Sequence, residues 1–435
     1  MRKRQRNFIS WFHSLYSACF CLLLSGIFIF LSFKPELLIK NLEPGYQIDI
    51  ARKLLFILAV SSPIVVGQRM LQMIFCIRLQ EYYIQLINIV GSLTKIMSVF
   101  YFFGFGRYNI VGYFIFLQFI SLLVVLAGLW LAKIKYDYDF KLLFKRFKFS
   151  KGIFNKTKGL AFSSLFCSIM WILYYEMDSI AIGKIIGIEA VAIYAIGLTL
   201  LSFFRSILGV FFTPFSARFN HFIGLGKENE FRSFYNHVVT IMLPLVVFPI
   251  VAVVIMAKGL TISWVGIDYT ESVVIVQFLI FCNILGFISY PAGMMLMARE
   301  KIKHIYFINA LIPVIFWAGI ILSIKYWGVE TFAIFKIIAF VISGFVYLWL
   351  SLKFMCISVW KFLKNTIIPY LPGLIVMSVL LYLMRDYCVD DKNRLNLLYN
   401  LVFIAGGCVM AFAISMLTAK QFRQYILSLI PNTKK

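Results

Sequence analysis

The sequence predicts an all-α polytopic membrane protein with about twelve transmembrane helices in two lobes related by an internal repeat. Three observations predict this class. Of the 435 residues, 62% are hydrophobic and only 14% are charged, whereas soluble domains have about 25% charged residues. Apolar stretches of about 20 residues, long enough to cross a bilayer, recur along the chain. Lysine and arginine concentrate in alternate connections between these stretches.

Twelve apolar stretches are candidate spans. They lie at 9–33, 54–75, 82–103, 108–132, 160–182, 188–212, 234–257, 272–297, 305–324, 328–351, 366–384 and 396–418. The first follows the basic start MRKRQRN, as a signal peptide would. Because its apolar run is longer than the core of such peptides and eleven spans follow, we expect a retained anchor.

The basic residues orient these spans. With the N-terminus inside, the inner segments hold 27 of the 42 Lys and Arg, the outer segments 11 and the spans four. This bias predicts that the N and C termini are cytoplasmic. The net charge of +24 would also suit nucleic acid, but the basic residues are scattered over loops, so we expect no nucleic-acid partner.

The sequence contains no motif typical of metal binding or of common enzyme active sites. The eight cysteines include no CxxC pair, and the four histidines have no metal-ligand spacing, so we expect no metal and no cofactor. No GxSxG, HExxH or Walker-type motif occurs, and the longest predicted outer loop, 34–53, has no histidine. A membrane-bound glycan polymerase or ligase would need a larger catalytic loop, so we predict that the chain is not an enzyme.

A basic inner loop at 133–158 divides the spans. It carries nine Lys and Arg and is interpreted either as an interfacial amphipathic helix or as an ordinary positive-inside loop. The predicted divisions are a first lobe of four helices at 1–132, the linker at 133–158, a second lobe of six helices at 159–352, and two additional helices with a basic tail at 353–435.

An internal repeat relates the lobes. An offset of 221 residues places the first four spans on the seventh to tenth, while the spans at 160–182 and 188–212 have no counterpart. The first lobe is therefore expected to lack two helices, although chance similarity of hydropathy is an alternative.

A motif begins within the fifth span. Asp178, Gly183, Gly187 and Tyr194 form the pattern D-x4-G-x3-G-x6-Y, which resembles the passage that opens the second lobe of Wzx-type polysaccharide and O-antigen flippases. These belong to the multidrug/oligosaccharidyl-lipid/polysaccharide (MATE-like) superfamily. FFTPFSARFNHFIGLGKENEFRSFY, YPAGMMLMAREKIKHIYFINALI and GVETFAI are similar to later landmarks of the family. The resemblance covers residues 1–352, and family members carry two further helices before the first span.

The resemblance implies a function and partners. It implies translocation of undecaprenyl-pyrophosphate-linked oligosaccharide across a bacterial inner membrane by alternating access, driven by an ion gradient, for O-antigen or other surface polysaccharide assembly. The implied partners are the lipid-linked oligosaccharide, membrane lipids, and polysaccharide polymerase and chain-length machinery. Two alternatives stay open: a small-molecule or drug exporter of the same superfamily, and a truncated remnant that does not transport.

Four cations lie within predicted spans. They are Arg69, Lys95, Arg205 and Lys336, and each would cost about 2.5–3.5 kcal/mol at the bilayer centre without a partner or a water-filled cavity. Arg and Lys bind phosphate oxygens, so the four are predicted to bind the pyrophosphate in a cationic cavity. Pairing with a carboxylate or a carbonyl is the alternative. The apolar neighbours of Lys336 further predict that its side chain reaches toward the outer interface.

Two carboxylates face different directions in the fifth span. Residues two apart on a helix are separated by about 200°, so Glu176 and Asp178 cannot share a face. Asp178 shares its face with Trp171, Tyr174 and Tyr175. We therefore predict that Asp178 serves ion coupling or lines the cavity, and that these aromatic residues contact sugar. Glu176 is expected to extend to the interface or to pair with a cation.

Overall fold

The architecture was analysed in a computed structural model of the chain. The described residues are 25–38, 45–76, 78, 80–104, 108–136, 151–387, 392–420 and 422–424. They are helical with short connections and contain no β-strand. Since lipid offers no hydrogen-bond partners, backbone groups in apolar stretches must pair internally, and a helix does this within one segment. The predicted all-α membrane class is confirmed.

The helices form two compact units, Met1–Leu160 and Ala161–Lys435. The first contains α1 (25–33), α2 (Tyr46–Cys76), α3 (Tyr82–Phe103) and α4 (Ile110–Tyr136). Next come α5 (Lys151–Tyr175), α6 (Met177–Ile185), α7 (Ile188–Gly224), α8 (Glu228–Ile255), α9 (Ala257–Val265), α10 (Ser272–Phe281) and α11 (Gly286–Ala298). The last four are α12 (Ile302–Trp327), α13 (Glu330–Met355), α14 (Val359–Met384) and α15 (Arg394–Thr418).

Nine described helices are long and apolar enough to cross a membrane, and eleven spans result if each of two bent pairs counts as one. The bent pairs coincide with the predicted spans 160–182 and 272–297. Residues 9–24 of the predicted first span, most of the predicted interfacial helix (137–150) and the end of the basic tail lie outside the described residues. Residues 151–158, predicted as linker, form the start of α5.

The first unit packs α2 and α3 onto α4. Leu71 and Phe75 are buried with Ile84 and Val125 in a small apolar core. Helix packing is close at Gly91, where a Cβ atom would lie 2.6 Å from Cγ2 of Val124. Gly91 therefore allows α3 and α4 to pack closely at this point.

The second unit has a larger core that includes α14 and α15. A Cβ atom on Gly373 would lie 2.6 Å from the carbonyl oxygen of Ala411, so these helices touch backbone to backbone. The hydroxyl of Tyr370 donates a 2.9 Å hydrogen bond to the carbonyl oxygen of Thr240 in α8. The predicted additional pair of helices is thus packed into the same compact unit as α5–α13.

A short helix, α9, occupies residues predicted as an outer connection. It ends where Gly266 adopts a φ of 114°, a left-handed conformation that favours glycine. Asn400 of α15 lies against Gly259, whose missing side chain gives it room, and its amide donates to Oγ of Ser263 at 3.3 Å. Packing against α15 explains why this segment is ordered as a helix.

Candidate functional site

Two of the predicted site residues form a buried ion pair. Lys336 of α13 donates from Nζ to Oδ2 of Asp178 in α6, and both side chains are 0% exposed. The expectation that Lys336 reaches toward the outer interface was wrong. The helical pattern shows only neighbours on the same helix, whereas the carboxylate that neutralises Lys336 is 158 residues away in sequence.

Asp178 accepts two further hydrogen bonds. The hydroxyl of Tyr194 in α7 donates to Oδ2 at 2.9 Å, and the backbone N–H of Ser179 donates to Oδ1 at 2.8 Å. Tyr194 is 0% exposed. Tyr194 was not predicted as a site residue, although it is the last residue of the D-x4-G-x3-G-x6-Y motif that Asp178 begins. The motif therefore brings its two ends together.

Aromatic rings enclose the ammonium group of Lys336. Its Nζ lies 5.3 Å from the ring centroid of Phe316, 5.7 Å from that of Tyr175 and 5.8 Å from that of Tyr194. Ring faces attract cations, and the attraction is stronger where water is excluded. The charge is thus balanced by one carboxylate and surrounded by π-faces.

Asp178 lies directly after a break in a span. The axes of α5 and α6 differ by 42°, and Glu176 stands between them with an exposed side chain. Asp178 is in the first turn of α6, where the helix dipole favours a negative charge. Trp317 donates from Nε1 to the carbonyl oxygen of Leu173 at 2.9 Å, which satisfies an acceptor near the end of α5.

A second broken span packs on the helix that carries Lys336. The axes of α10 and α11 differ by 43°, and both halves contact α13. At the break, Leu285 fits against Gly344 of α13, where a Cβ atom would lie 2.5 Å from Cδ1 of Leu285. Asn283, also at the break, is 5% exposed, and its Nδ2 has no partner among the described residues. Broken spans at two places thus flank the Lys336–Asp178 pair.

Arg205 joins the three predicted aromatic residues. Its Cζ lies 4.4 Å from the ring centroid of Tyr175 and 4.9 Å from that of Trp171. The centroids of Trp171 and Tyr175 are 4.2 Å apart, and those of Tyr174 and Tyr175 are 4.7 Å apart. Within the described part of the chain, Arg205 makes no ion pair and no hydrogen bond. Its five N–H donors are therefore available to a ligand.

Exposure differs sharply within this aromatic cluster. Trp171 is 40% exposed, whereas Tyr174 is 6% and Tyr175 is 8% exposed. Tyr175 lies between the two cationic groups, since its ring contacts both Arg205 and Lys336. Trp171 and the half-buried Arg205 are thus the more exposed members of the cluster, and Tyr175 connects them to the buried pair.

The other two predicted cations belong to the first unit. Lys95 donates from Nζ to Oγ of Ser121 at 2.8 Å, and Ser121 in turn donates to the carbonyl oxygen of Leu117 at 2.9 Å. Arg69 is exposed on α2 and has no ion pair with any described residue. Neither cation is neutralised by a carboxylate of the described chain, in contrast to Lys336.

Comparison with known proteins bears on the fold. No family model matches the sequence, and no curated protein matches it. A solved structure, lipid II flippase MurJ in an inward closed conformation, aligns with a TM-score of 0.67 over 96% of this chain and 85% of the MurJ chain. The chain shares the MurJ fold. At 17% identity the likeness concerns architecture alone, and it confirms the predicted polytopic membrane fold without specifying a substrate.

Proposed function

We propose that the chain is a transporter, not an enzyme, that moves a lipid-linked oligosaccharide across the membrane by alternating access. Two independent lines support this function. The motif beginning at Asp178 resembles polysaccharide flippases, and the fold is shared with a structure named as a lipid II flippase. Together, the motif resemblance and the shared fold support a lipid-linked oligosaccharide as the class of substrate.

One observation carries the proposal to particular residues: Arg205 has no carboxylate partner among the described residues, and its Cζ lies within 4.9 Å of the ring centroids of Trp171 and Tyr175. The planar N–H pairs of a guanidinium group match phosphate oxygens. Beside it, the exposed Trp171 offers a ring face on which a sugar can stack. Arg205 would hold the pyrophosphate while Trp171 contacts the first sugar.

Arg69 and Lys95 are proposed to bind the same anionic group at other stages of transport. Neither has a carboxylate partner among the described residues, so each retains positive charge for an anion. Lys336 was predicted to bind this group too; because it pairs with Asp178, we assign it no anion-binding role in this proposal. Asp178 stays the acidic residue proposed for ion coupling, and we propose the proton as the coupling ion.

At the finer level, we propose that the substrate is an undecaprenyl-pyrophosphate oligosaccharide used for O-antigen or other surface polysaccharide, in a bacterial inner membrane with both termini cytoplasmic. Polymerase and chain-length proteins would act on the translocated product. The competing function, export of cationic small molecules, requires an available carboxylate in the cavity. Asp178 is fully buried and already neutralised by Lys336, which favours the anionic substrate.

The proposal is tested by reconstituting the full chain in proteoliposomes and measuring translocation of a fluorescent undecaprenyl-pyrophosphate-linked sugar. Arg205→Ala removes charge-assisted hydrogen bonds worth about 1.5–3 kcal/mol, so we expect transport efficiency to fall about ten- to hundredfold. Arg205→Lys should recover only part of it, because an ammonium cannot bind two oxygens in parallel.

Arg218→Ala is the matched control, since Arg218 is an exposed arginine of the same helix that also lies near a ring, that of Phe234. It should leave transport unchanged. Equal activity of Arg205→Ala and wild type, or equal losses in both variants, would contradict the role of Arg205. Absence of translocation by the wild-type chain would contradict the function itself.

A further inference from the structure

The carboxylate of Asp178 accepts hydrogen bonds from three donors. Lys336 and Tyr194 donate to Oδ2, and the Ser179 backbone donates to Oδ1. Both charged side chains and the Tyr194 side chain are fully buried. A cation from solution could bind this carboxylate only by displacing the ammonium group of Lys336, which is covalently attached to α13.

The surroundings of the ammonium group have the chemistry of a cation site. One carboxylate supplies the opposite charge, and three ring faces, from Tyr175, Tyr194 and Phe316, lie within 5.8 Å of Nζ. A single negative charge with aromatic faces in a dry environment suits a monovalent, weakly hydrated cation such as an alkylammonium. Among the described residues, no group of three or more His, Cys, Asp or Glu side chains could hold a metal ion.

The pair also occupies an unusual place in the fold. Asp178 is in the first turn after the break between α5 and α6, and the broken pair α10–α11 packs on the helix of Lys336. Apolar side chains of similar volume often replace a buried ion pair at little or no cost. The pair therefore places two charges beside two broken spans where stability alone does not require them.

We propose that Lys336 is a built-in cation that fills a closed monovalent-cation site around Asp178, so that the wild-type chain does not bind sodium or potassium there. If the site is filled by Lys336, a sodium or potassium gradient would not drive transport through Asp178. This consequence rests on the proposed transport function. The occupancy of the site can be measured without any transport assay.

The test removes the side chain of Lys336 and then adds a free alkylammonium ion in its place. The purified full chain and Lys336→Ala are unfolded thermally in detergent with N-methyl-D-glucamine, sodium, potassium or butylammonium chloride at equal ionic strength. Wild type should have the same unfolding midpoint in all four salts. Lys336→Ala should have a lower midpoint in the bulky, hydrophilic N-methyl-D-glucamine and regain part of the loss as butylammonium is titrated, because the protonated amine refills the site.

Two variants serve as controls. Lys353→Ala removes an exposed lysine of the same helix that lies 5.2 Å from the Trp349 ring centroid, and it should show no specific response to butylammonium. Asp178→Asn combined with Lys336→Ala removes the carboxylate as well, and should abolish the response to the amine. An equal response in this double variant would overturn the proposal, since the amine would then be acting elsewhere.

Wild type provides a second, independent measurement. A rise in its midpoint that is specific to sodium or potassium and disappears in Asp178→Asn would overturn the proposal. Lys336→Ala is purified with and without butylammonium, and recovery of folded protein only with the amine supports the proposal. Recovery in neither buffer contradicts it. Failure of the proposed transport function would instead be seen in the Arg205 experiment, so the two can fail separately.

Discussion

The hydroxyl of Tyr194 donates a 2.9 Å hydrogen bond to Oδ2 of Asp178, the same oxygen that accepts from Lys336. Asp178 and Tyr194 are 16 residues apart and are the first and last residues of the motif that resembles polysaccharide flippases. The motif thus contains two of the three side chains of a buried polar centre. The third is contributed by α13.

Replacing Tyr194 by Phe should destabilise the protein, since it removes a hydrogen bond to a buried charge. Such bonds contribute about 1.5–3 kcal/mol. The control is Tyr235→Phe: Tyr235 is equally buried, but its hydroxyl bonds a neutral group, Oγ of Ser351, at 2.7 Å. There the expected loss is about 0.5–1.5 kcal/mol. Thermal unfolding in detergent compares them, and an equal or smaller loss for Tyr194→Phe would contradict the charged assignment.

The ion pair predicts a strongly non-additive double-mutant cycle. Asp178→Asn or Lys336→Met alone leaves an uncompensated buried charge, at a cost of about 3–5 kcal/mol. The double variant removes both charges and should be more stable than either single variant. Unfolding free energies of the four proteins give the coupling energy.

The exposed pair Asp49–Lys53, with side chains 59% and 57% exposed, is the reference for this cycle. Its coupling should be close to zero, as is usual for solvent-exposed pairs. Additive losses at Asp178 and Lys336 would show that the two charges do not depend on each other.

Trp171 should matter more for the sugar than for stability. It is 40% exposed but packs on Tyr175, so Trp171→Ala is expected to lower the unfolding free energy by about 0.5–1.5 kcal/mol. Translocation of a lipid-linked sugar should fall more than translocation of the same lipid pyrophosphate without sugar. Trp349→Ala, at a 60% exposed tryptophan of the same unit, should affect neither. An equal loss for both lipids would contradict sugar stacking on Trp171.

Close packing of α12 on α13 predicts a severe effect at Gly319. A Cβ atom there would lie 1.8 Å from Cδ1 of Phe335, so Gly319→Ala should cost about 1–3 kcal/mol. Adding Phe335→Leu should recover part of that loss. Gly209→Ala, where nothing lies within 4 Å of the added atom, should instead stabilise its helix by about 0.5–1 kcal/mol. Unfolding midpoints measure both, and a neutral Gly319→Ala would show that the two helices can separate at this point.

Much of the architecture was predictable because membrane spans are local properties of the chain. An apolar stretch of sufficient length must form a helix in lipid, whatever its neighbours. The spans at 160–182 and 272–297 were located correctly but not recognised as bent. A bend depends on the contacts that other helices make at the break, such as that of Gly344 with Leu285. The hydropathy of a span does not contain these contacts.

Most residues of the candidate site could be predicted from the sequence, but which of them contact one another could not. Helical periodicity placed Asp178 with Trp171, Tyr174 and Tyr175, and the aromatic residues do form one cluster. Lys336 was expected to extend outward because its neighbours on α13 are apolar. Those neighbours describe its own helix and contain no information about the carboxylate that approaches from another one.

The sequence by itself determined that this is a helical membrane protein, which charges lie within its spans, and which motif begins at Asp178. Each of these follows from residues adjacent in sequence or on one helix face. Only the tertiary structure decided that Lys336 neutralises Asp178, that Tyr194 donates to the same carboxylate, and that Arg205 has no ion pair or hydrogen bond with the described residues. A buried charge is stabilised by whichever opposite charge packing brings within reach, and that partner can lie 158 residues away.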